Sequence, residues 1–303
     1  MNGPVVILAG GTGGAKLAAG MQDVIGDRLT VIANTGDDIV IHGGHVSPDP
    51  DLCVFWLAGR IDARGWGLEG DSFEAMAELR GAGEEVWFAL GDEDLALCRA
   101  RGARLAAGER LTTCLLDQGR SYGTSATVLP MSDDPVRTVI VSGKRRIGLQ
   151  EFLIRERGAS PIDHVEYEGS ASATATTEVL AAIAGAGLIV IGPSNPVLSI
   201  GPILAVGAIA DAIARSPAPV VAVSPIVGGR VLKGPTAACM EAIGLPATGS
   251  GVATHYGQLL DALVSDEPVD REMPTLICPT DLGDSRSRRT VAEAVLGFAA
   301  TLR

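Results

Sequence analysis

The residues of this chain best suited to chemistry are a glycine loop and a group of carboxylates. The loop Gly10–Lys16 follows the apolar run Val5–Ala9 and precedes a helix-forming segment. Because glycine has no Cβ, backbone N–H groups in such a loop can approach phosphate oxygens closely, and the positive end of the next helix attracts them. The loop therefore predicts binding of a phosphate compound. The alternative is that its glycines only make a tight turn.

The loop matches neither of the two common glycine signatures of nucleotide-binding proteins. A Walker loop needs Gly before its Lys and Ser or Thr after it, but Lys16 lies between Ala15 and Leu17. The dinucleotide pattern G-x-G-x-x-G from Gly11 would need a glycine at position 16, and the next strand ends in Asn34 instead of a ribose-binding acid. The residues alone therefore leave the identity of the phosphate compound open.

Four carboxylates lie close together after the second predicted strand, namely Asp37, Asp38, Asp49 and Asp51. A hard divalent cation such as Mg²⁺ takes oxygen ligands and leaves positions for water and phosphate, so we predict Asp37 and Asp51 as its ligands. The alternative is that Asp38 and Asp49 cap helices or turns and face water. His45 has a second histidine but no cysteine nearby, so we expect a hydrogen-bonding or structural role and no zinc site.

Polar loops follow two later predicted strands as well. Gly192–Pro196 contains Ser194, which we predict to be a hydrogen-bond donor, because the neighbouring prolines depart from the G-x-S-x-G nucleophile pattern. Ser224–Gly229 leads to Lys233, which puts free N–H groups and a cation where an anion could bind. The alternative is that the prolines and glycines of these loops only shape turns.

The elements that must position these residues alternate along the chain. Short apolar runs predict strands of a parallel sheet covered by helices on both faces, at Val5–Ala9, Leu29–Ala33, Leu188–Ile191, Val220–Val223 and Leu276–Ile277. Helical patterns alternate with them at Glu178–Ala184, Val206–Arg215, Thr236–Ile243 and Val291–Leu302. The predicted fold class is α/β, a Rossmann-like, doubly wound and mostly parallel sheet. Ligands of such sheets bind beyond the carboxyl ends of the strands, where these loops gather.

The middle of the chain has a different pattern. Residues 51–118 are mostly helical, and three alternating segments then predict antiparallel ribbon, at Val136–Ser142, Gly148–Ile154 and His164–Tyr167. We therefore predict one domain, 1–303, whose core consists of residues 1–50 and 170–303. Residues 51–169 would be a largely helical cap inserted over the strand ends.

Composition excludes several classes of protein. Hydrophobic residues make up 47% of the 303 residues, but no apolar stretch is long enough to cross a bilayer, so we expect no membrane partner. A net charge of −12 argues against a nucleic-acid partner and leaves any anionic substrate to a local site. Five scattered cysteines, and an N-terminus unlike a signal peptide, predict free thiols and a cytoplasmic protein. We expect a homodimer, through apolar helices such as Val206–Ala214.

A series of motifs runs in order over nearly the whole chain. These motifs are Gly10–Lys16, Asn34–Asp38, His45–Asp51, Arg64–Gly67, Trp87–Asp92, Leu129–Asp134, Gln150–Glu151, Gly192–Leu204 and Ser224–Pro235. Together they resemble the 2-phospho-L-lactate transferase (CofD) family. The chain departs from the family pattern near its C-terminus, where Leu282-Gly283 follows Thr280-Asp281 in place of the family's Thr-Leu-Met.

The resemblance implies a Mg²⁺-dependent phosphotransferase of coenzyme F-420 biosynthesis. The family transfers a phospholactyl, phosphoenolpyruvyl or phosphoglyceryl unit from its guanosine-diphosphate conjugate to the ribityl hydroxyl of the deazaflavin Fo, releasing GMP. By position, the diphosphate and nucleoside would contact Gly11, Thr12, Gly13, Gly14, Lys16, Ser194, Asn195, Ser224, Gly228, Gly229 and Lys233. Asp37 and Asp51 would hold Mg²⁺, and Asp37 or Asp38 could accept the hydroxyl proton. Fo would lie under the cap near His45 and Trp66.

Two other functions stay open from the sequence. A non-catalytic, nucleotide-sugar-binding regulator of the same fold could use the same glycine loop, although the pair Asp37 and Asp51 argues against it. An NAD-dependent oxidoreductase would share the fold, but the missing dinucleotide pattern argues against that choice. The three-carbon acid of the donor also stays open, because a few pocket contacts decide it.

Overall fold

In the computed structural model, which describes residues 3–302, the chain forms fourteen strands and eleven α-helices. The strands are β1 (Val5–Ala9), β2 (Leu29–Ala33), β3 (Ile39–Ile41), β4 (Gly44–Val46), β5 (Thr127–Pro130), β6 (Arg137–Ser142), β7 (Arg145–Gly148), β8 (His164–Glu168), β9 (Leu188–Ile191), β10 (Val220–Val223), β11 (Ile226–Val227), β12 (Arg230–Val231), β13 (Ala262–Ser265) and β14 (Thr275–Ile277). The helices are α1 (Gly11–Ile25), α2 (Pro48–Leu57), α3 (Glu74–Gly81), α4 (Asp92–Ala106), α5 (Leu111–Tyr122), α6 (Thr177–Ala184), α7 (Gly201–Ala205), α8 (Gly207–Arg215), α9 (Thr236–Ala242), α10 (Gly249–Tyr256) and α11 (Ser285–Ala299). Short π-helical turns add Glu151–Arg155 and Pro196–Ile200, and 3₁₀ turns add Gly26–Arg28 and Gly257–Leu259.

Seven of the strands form one parallel sheet in the order β14-β13-β10-β9-β1-β2-β5. From β1 the chain builds outward through β2 to β5, and it then returns to β9 on the other side of β1 and builds outward to β14. The direction of winding therefore switches between β1 and β9. The loops that leave these two strands separate there and open a crevice, which is where doubly wound sheets bind ligands. The predicted α/β class, with its Rossmann-like parallel sheet, is confirmed.

The apolar runs become strands because both faces of the sheet are covered. Ile7 and Val31 lie in a core with side chains of α1, α2 and α11, whereas Leu8 and Ile32 lie in a second core with side chains of α6, α8 and α10. These four side chains are fully buried. Removing each of them from water stabilises the fold by about 1.5–3 kcal/mol. This burial fixes the strand ends from which the functional loops emerge.

The sheet contains two strands that the sequence pattern did not indicate, β5 and β13. Strand β5 lies inside the range 51–169 that was assigned to the cap, yet it pairs in parallel with β2 at the sheet edge. Its last residue, Pro130, is tolerated because an edge strand has one unpaired side. The chain therefore returns to the core within the predicted cap, and residues outside the sheet form two excursions on either side of β5.

The two excursions differ in structure. The first contains α3 and α4, which enclose a small core of their own around Met76 and Leu95. The second is a three-stranded antiparallel sheet in the order β7-β6-β8, as the alternating pattern predicted. The segment Gly148–Ile154 was predicted as part of this ribbon, but only Gly148 belongs to β7. The rest is helical and includes the π-helical turn, in which Phe152 is fully buried against Ile140 and Ile147.

Within residues 3–302, no single helix has both the length and the hydropathy needed to cross a membrane. The two consecutive helical segments Pro196–Ala205 and Gly207–Arg215 pass that test only when joined, and they meet at an angle of 86°. All five cysteines are free thiols, as predicted, and four of them are buried.

Candidate active site

The crevice at the switch of the sheet contains a cavity, which we call the main cavity. It has a volume of about 470 Å³ and lies beyond the carboxyl ends of β1, β2, β9 and β10. The predicted site residues that line it are Gly11, Thr12, Gly13, Lys16, Asp37, Ser194, Asn195 and Lys233. The topology thus brings together four loops that are distant in sequence.

The glycine loop opens directly into helix α1, whose N-terminus faces the main cavity. Gly11 adopts a φ of +62° and donates its N–H to Asp49 Oδ1 at 2.5 Å. Helix geometry leaves the N–H groups of Thr12 and Gly13 without an intrahelical acceptor, and both residues line the cavity. The start of α1 therefore offers N–H donors and a positive partial charge to an anion.

Two glycines of the loop also have a purely structural role. A Cβ on Gly13 would lie 2.0 Å from the carbonyl oxygen of Pro193. A Cβ on Gly14 would lie 2.6 Å from Ser194 Oγ and 2.8 Å from the Cβ of Ala9. These close approaches allow the loop after β9 to pack on α1. Gly14 is buried and is not one of the residues that line the cavity, so its role as a ligand contact stays a prediction.

Asp37 is a buried carboxylate that lines the main cavity. Its Oδ2 accepts a hydrogen bond from Gln150 Nε2 at 3.0 Å, but its buried Oδ1 has no hydrogen-bond partner among residues 3–302. Burial raises the pKa of Asp37 well above its usual value, and the charges of Asp49 and Asp38 raise it further. Burial also raises the pKa of Asp49 to about 6, against hydrogen bonds from Asn34 and from the loop backbone that lower it. These carboxylates therefore need a proton or a cation.

Asp51, the second predicted metal ligand, does not reach the main cavity. Its two carboxylate oxygens are bound by both terminal nitrogens of Arg101, one of them at 3.0 Å, and by Gln118 Nε2 at 2.9 Å. Asp49 and Asp51 lie two residues apart on α2, so the helix turns them to nearly opposite sides. The structure therefore does not bring Asp51 together with Asp37, and its metal role stays a prediction; Asp49, considered a capping residue, lines the cavity beside Asp37.

A second cavity, of about 340 Å³, lies on the other side of the loop 35–38 and is called the second cavity below. It is lined by Thr35, Asp38, His45, Leu105, Glu109, Arg110, Leu111, Asp133, Asp134, Pro135 and Arg137. Asp38 accepts hydrogen bonds from His45 Nε2 at 2.9 Å and from Ser47 Oγ at 2.7 Å. Asp38 and His45 are thus brought together, but apart from the glycine loop.

Four further residues predicted to contact substrates line neither cavity. Trp66 is 47% exposed and stacks under the guanidinium of Arg64, 4.1 Å from the ring centroid. Ser224 is fully buried and its Oγ accepts a hydrogen bond from a backbone N–H two residues on. Gly228 and Gly229 form the turn between β11 and β12, where both have positive φ. These four positions shape loops next to the cavity and do not form its wall.

Two lysines supply positive charge to the main cavity. Burial and the neighbouring cation of Arg288 lower the pKa of Lys16, whose Nζ lies 5.5 Å from the centroid of the Trp56 ring. Lys233 is exposed on the loop that precedes α9 and lines the same cavity. Asp281, which lines the same cavity, has the opposite effect on this pKa and favours the charged form of Lys16.

The sequence interpretation missed several residues of the main cavity. Asp49, Ser199, Thr280 and Asp281 all line it, and Thr280 Oγ1 is buried without a hydrogen-bond partner in the described part of the chain. Thr280 and Asp281 follow β14, so the position of polar residues directly after a strand could have indicated that they belong to the cavity. Leu282, at the departure from the family pattern, lies in the same wall.

Comparisons with known proteins identify the family of this chain. The sequence profile of a family described as "2-phospho-L-lactate transferase CofD" matches residues 5–276. A protein named phosphoenolpyruvate transferase from Mycobacterium avium (strain 104) is 38% identical over 281 residues, covering 84% of this chain and 83% of the relative. Its namesake from Mycobacterium leprae (strain TN) is 39% identical over 280 residues, with the same coverage.

Solved structures show the same fold. A crystal structure of a Bacillus halodurans protein aligns with a TM-score of 0.61 at 18% identity, covering 98% of this chain and all of that chain. A second structure, described as a UPF0052 family member from the same organism, aligns with a TM-score of 0.60, again at 18% identity, and covers 98% of this chain and 99% of that one. At this identity the likeness concerns the fold alone, whereas the profile match and the relatives concern the family. The chain therefore belongs to the 2-phospho-L-lactate transferase (CofD) family.

Proposed function

We propose that this protein is a Mg²⁺-dependent transferase of coenzyme F-420 biosynthesis. It moves a phospho-acid unit from its guanosine-diphosphate conjugate to the ribityl hydroxyl of the deazaflavin Fo and releases GMP. Family membership supports a transferase. The curated relatives carry the name phosphoenolpyruvate transferase, so the phosphoenolpyruvyl donor is the first to test, before the phospholactyl and phosphoglyceryl donors.

The main cavity suits the guanosine-diphosphate part of the donor. N–H groups at the start of α1, together with Lys16 and Lys233, would bind the diphosphate oxygens. Part of the cavity lining is apolar and suits a flat purine base; it consists of Leu149, Leu153, Leu198, Val231 and Leu232. In this proposal Ser194 and Asn195 hold the loop after β9 in place, because the Asn195 carboxamide oxygen accepts from the N–H groups of Val197 and Leu198.

One observation carries the metal part of the proposal. Asp37 Oδ1 is buried without a hydrogen-bond partner among residues 3–302, and Asp49 lines the same cavity with its pKa raised to about 6. Two buried carboxylates without a cation are unfavourable, and carboxylate oxygens are the ligands that Mg²⁺ prefers. Asp37 and Asp49 would therefore hold the ion, which when bound neutralises charge on the leaving phosphate.

The protein itself then contributes mainly by positioning the substrates and stabilising charge. Attack of an alcohol on a phosphoryl group passes through a loose transition state, in which charge spreads over the phosphoryl oxygens. The N–H groups of Thr12 and Gly13 and the two lysines would stabilise that charge. The acceptor hydroxyl would approach from the side of Asp38 and His45, and Asp37 or Asp38 would receive its proton.

The test is direct transfer with purified protein. Fo is incubated with each of the three synthetic guanosine-diphospho acids, with Mg²⁺ or with a chelator, and GMP release and product mass are measured. We expect one donor to give GMP and the matching phospho-acid ester of Fo, with loss of both in the chelator. No GMP with any donor would overturn the proposal.

A thermal-shift measurement separates the rival functions. A ligand that binds the folded state raises the melting temperature, so GDP with Mg²⁺ should stabilise the protein. A non-catalytic regulator would instead be stabilised by a nucleotide sugar, and an oxidoreductase by NAD. Stabilisation by either of these, without any by GDP and Mg²⁺, would favour the corresponding rival.

A further inference from the structure

Arg137 is a cation of the second cavity without a carboxylate partner among residues 3–302. Its side chain is half-buried, and its Nη1 donates to the backbone carbonyl oxygen of Val136 at 2.7 Å. Arg110, the other arginine of this cavity, is held by Asp133 at 2.7 Å and by Glu178 at 2.8 Å. The guanidinium of Arg137 therefore keeps most of its donors for a ligand.

Thr35 provides a second unsatisfied polar group in the same wall. The residue is 2% exposed and lines the second cavity, and its Oγ1 has no hydrogen-bond partner in the part of the chain that the structure describes. A buried hydroxyl without a partner is unfavourable, because it loses its hydrogen bonds to water and gains none in return. Such a group is expected where a ligand completes the hydrogen bond.

The backbone holds Arg137 against the loop that separates the two cavities. The N–H of Thr138 donates to the carbonyl oxygen of Gly36 at 2.6 Å. Gly36 has no room for a side chain, because a Cβ would lie 2.7 Å from Thr138 Oγ1 and 2.9 Å from Asn34 Oδ1. Arg137 is therefore next to the loop residues that flank Gly36, and its positive charge acts on Asp37 across that loop.

The proposed reaction puts a second anion at this boundary. The phosphoryl group under attack is the one that carries the three-carbon acid, so the carboxylate of that acid lies a few bonds from the phosphorus. If the phosphoryl group lies beside Asp37, the carboxylate lies beside the loop 35–38. A guanidinium and a hydroxyl are a suitable pair of donors for a carboxylate.

We propose that Arg137 and Thr35 bind the carboxylate of the transferred three-carbon acid, and that they make the protein select acid-bearing donors over GDP. This inference rests on the proposed function and names the part of the site that recognises the acid. Arg137 is a specificity-determining residue in this account, whereas the diphosphate contacts lie in the main cavity.

The test compares two ligands within each variant. Calorimetry in Mg²⁺ measures the Kd of the guanosine-diphospho acid that the wild-type protein uses, and of the same compound with its carboxylate changed to a carboxamide. We expect wild type to prefer the acid. Arg137→Gln should weaken binding of the acid about 10- to 100-fold, the range for losing a charge-assisted hydrogen bond, and leave GDP and the carboxamide within about threefold.

Companion variants separate recognition from a merely structural effect. Thr35→Val keeps the shape of the side chain but removes the hydroxyl, and should weaken the acid about 3- to 10-fold. Arg137→Lys keeps the charge and should recover part of the preference. Arg215→Gln, at a mostly exposed site on α8, is the matched control and should leave every Kd unchanged. The ratio of two Kd values does not depend on the folded fraction of a variant, so partial unfolding does not mask the effect.

The outcomes distinguish the two proposals. If wild type transfers the acid to Fo but Arg137→Gln weakens the acid, the carboxamide and GDP equally, or weakens none of them, this inference is wrong and the proposed function stands. If wild type gives no GMP with any donor, the proposed function fails first. Selective loss of the acid preference in Arg137→Gln supports both.

Discussion

Asp37 and Asp38 are consecutive in the chain but line different cavities. Asp37 faces the main cavity together with Asp49, and Asp38 faces the second cavity, where it accepts a hydrogen bond from His45. The loop 35–38 is thus a wall shared by the two cavities. A group bound in one cavity can meet a group bound in the other at this loop, which is the arrangement that a transfer reaction between two substrates needs.

Replacing Asp37 should separate activity from stability. Asp37→Asn removes a buried charge beside Asp49, so we expect turnover to fall at least ~100-fold, the scale for losing metal-borne charge stabilisation. The same change should raise the melting temperature of the metal-free protein by a few degrees, because burial and like charges oppose ionisation of this group. Steady-state kinetics and calorimetric melting measure the two effects. A turnover number near that of wild type would remove Asp37 from the mechanism.

Replacing Asp38, which lines the second cavity, should affect binding of the acceptor Fo. Asp38→Asn weakens the hydrogen bond with His45 in the second cavity but leaves the main cavity intact. We therefore expect the Kd of GDP with Mg²⁺ to stay within about twofold, while the KM for Fo rises several-fold. Calorimetry measures the Kd of GDP, and initial rates measure the KM for Fo. An equal loss of GDP binding would contradict the assignment of GDP to the main cavity and of Fo to the second cavity.

The buried ion pair of Asp51 and Arg101 should be structural. Arg101→Leu would leave Asp51 as an uncompensated buried charge, and we expect it to cost about 3–5 kcal/mol of unfolding free energy. Arg146→Leu, which breaks exposed pairs with Glu166 and Glu168, should cost less than about 1 kcal/mol. Urea unfolding measures both. Similar losses of unfolding free energy in the two variants would show that the buried pair does not hold α4 to α2.

Two glycine-to-alanine changes in helices should have opposite effects. A Cβ at Gly13 would overlap the carbonyl oxygen of Pro193, so Gly13→Ala must displace the loop after β9 and should both destabilise the protein by about 2 kcal/mol or more and weaken GDP binding. The Cβ of Gly297→Ala, in α11, would meet no atom of residues 3–302 within 4 Å outside the adjacent turns of its own helix, so this change should stabilise the helix by about 0.5–1 kcal/mol. Thermal melting with and without GDP compares them, and a stabilised Gly13→Ala would contradict the close packing.

The pH dependence of stability should contain a contribution from Asp94. Burial, and then the charge of Asp51, raises the pKa of Asp94 to about 7, against Arg101, which lowers it. A carboxyl group whose pKa is higher in the folded state stabilises the fold fully below its unfolded pKa, and this contribution is lost as pH rises from about 4 to about 7.

The variant Asp94→Asn should therefore gain stability relative to wild type across that pH window and show a constant difference above it. The difference is at most about 4 kcal/mol, because one pKa unit corresponds to about 1.4 kcal/mol and Asp94 is partly exposed to water. Urea unfolding at a series of pH values measures it. A difference that does not change with pH would show that Asp94 titrates alike in the folded and unfolded chain.

The sequence by itself determined five of the seven parallel strands, the glycine loop and the α/β class. These features are local: an apolar run such as Val5–Ala9 is buried on both faces, and the loop at Gly10 follows directly from it. The family resemblance rests on such local motifs in order, and the profile match from 5 to 276 confirmed it. Strand β5 was not predicted, because its apolar run is short and only its pairing with β2 distinguishes it from the end of a helix.

The tertiary structure alone decided which side chains share a cavity. Asp49 and Asp51 are nearly equivalent in the sequence, but the rotation of α2 turns one toward Asp37 and the other toward Arg101. Arg137 reaches the loop 35–38 through a contact between segments about a hundred residues apart. Such long-range contacts depend on how helices and strands pack. The spacing of residues along the chain carries no information about this packing.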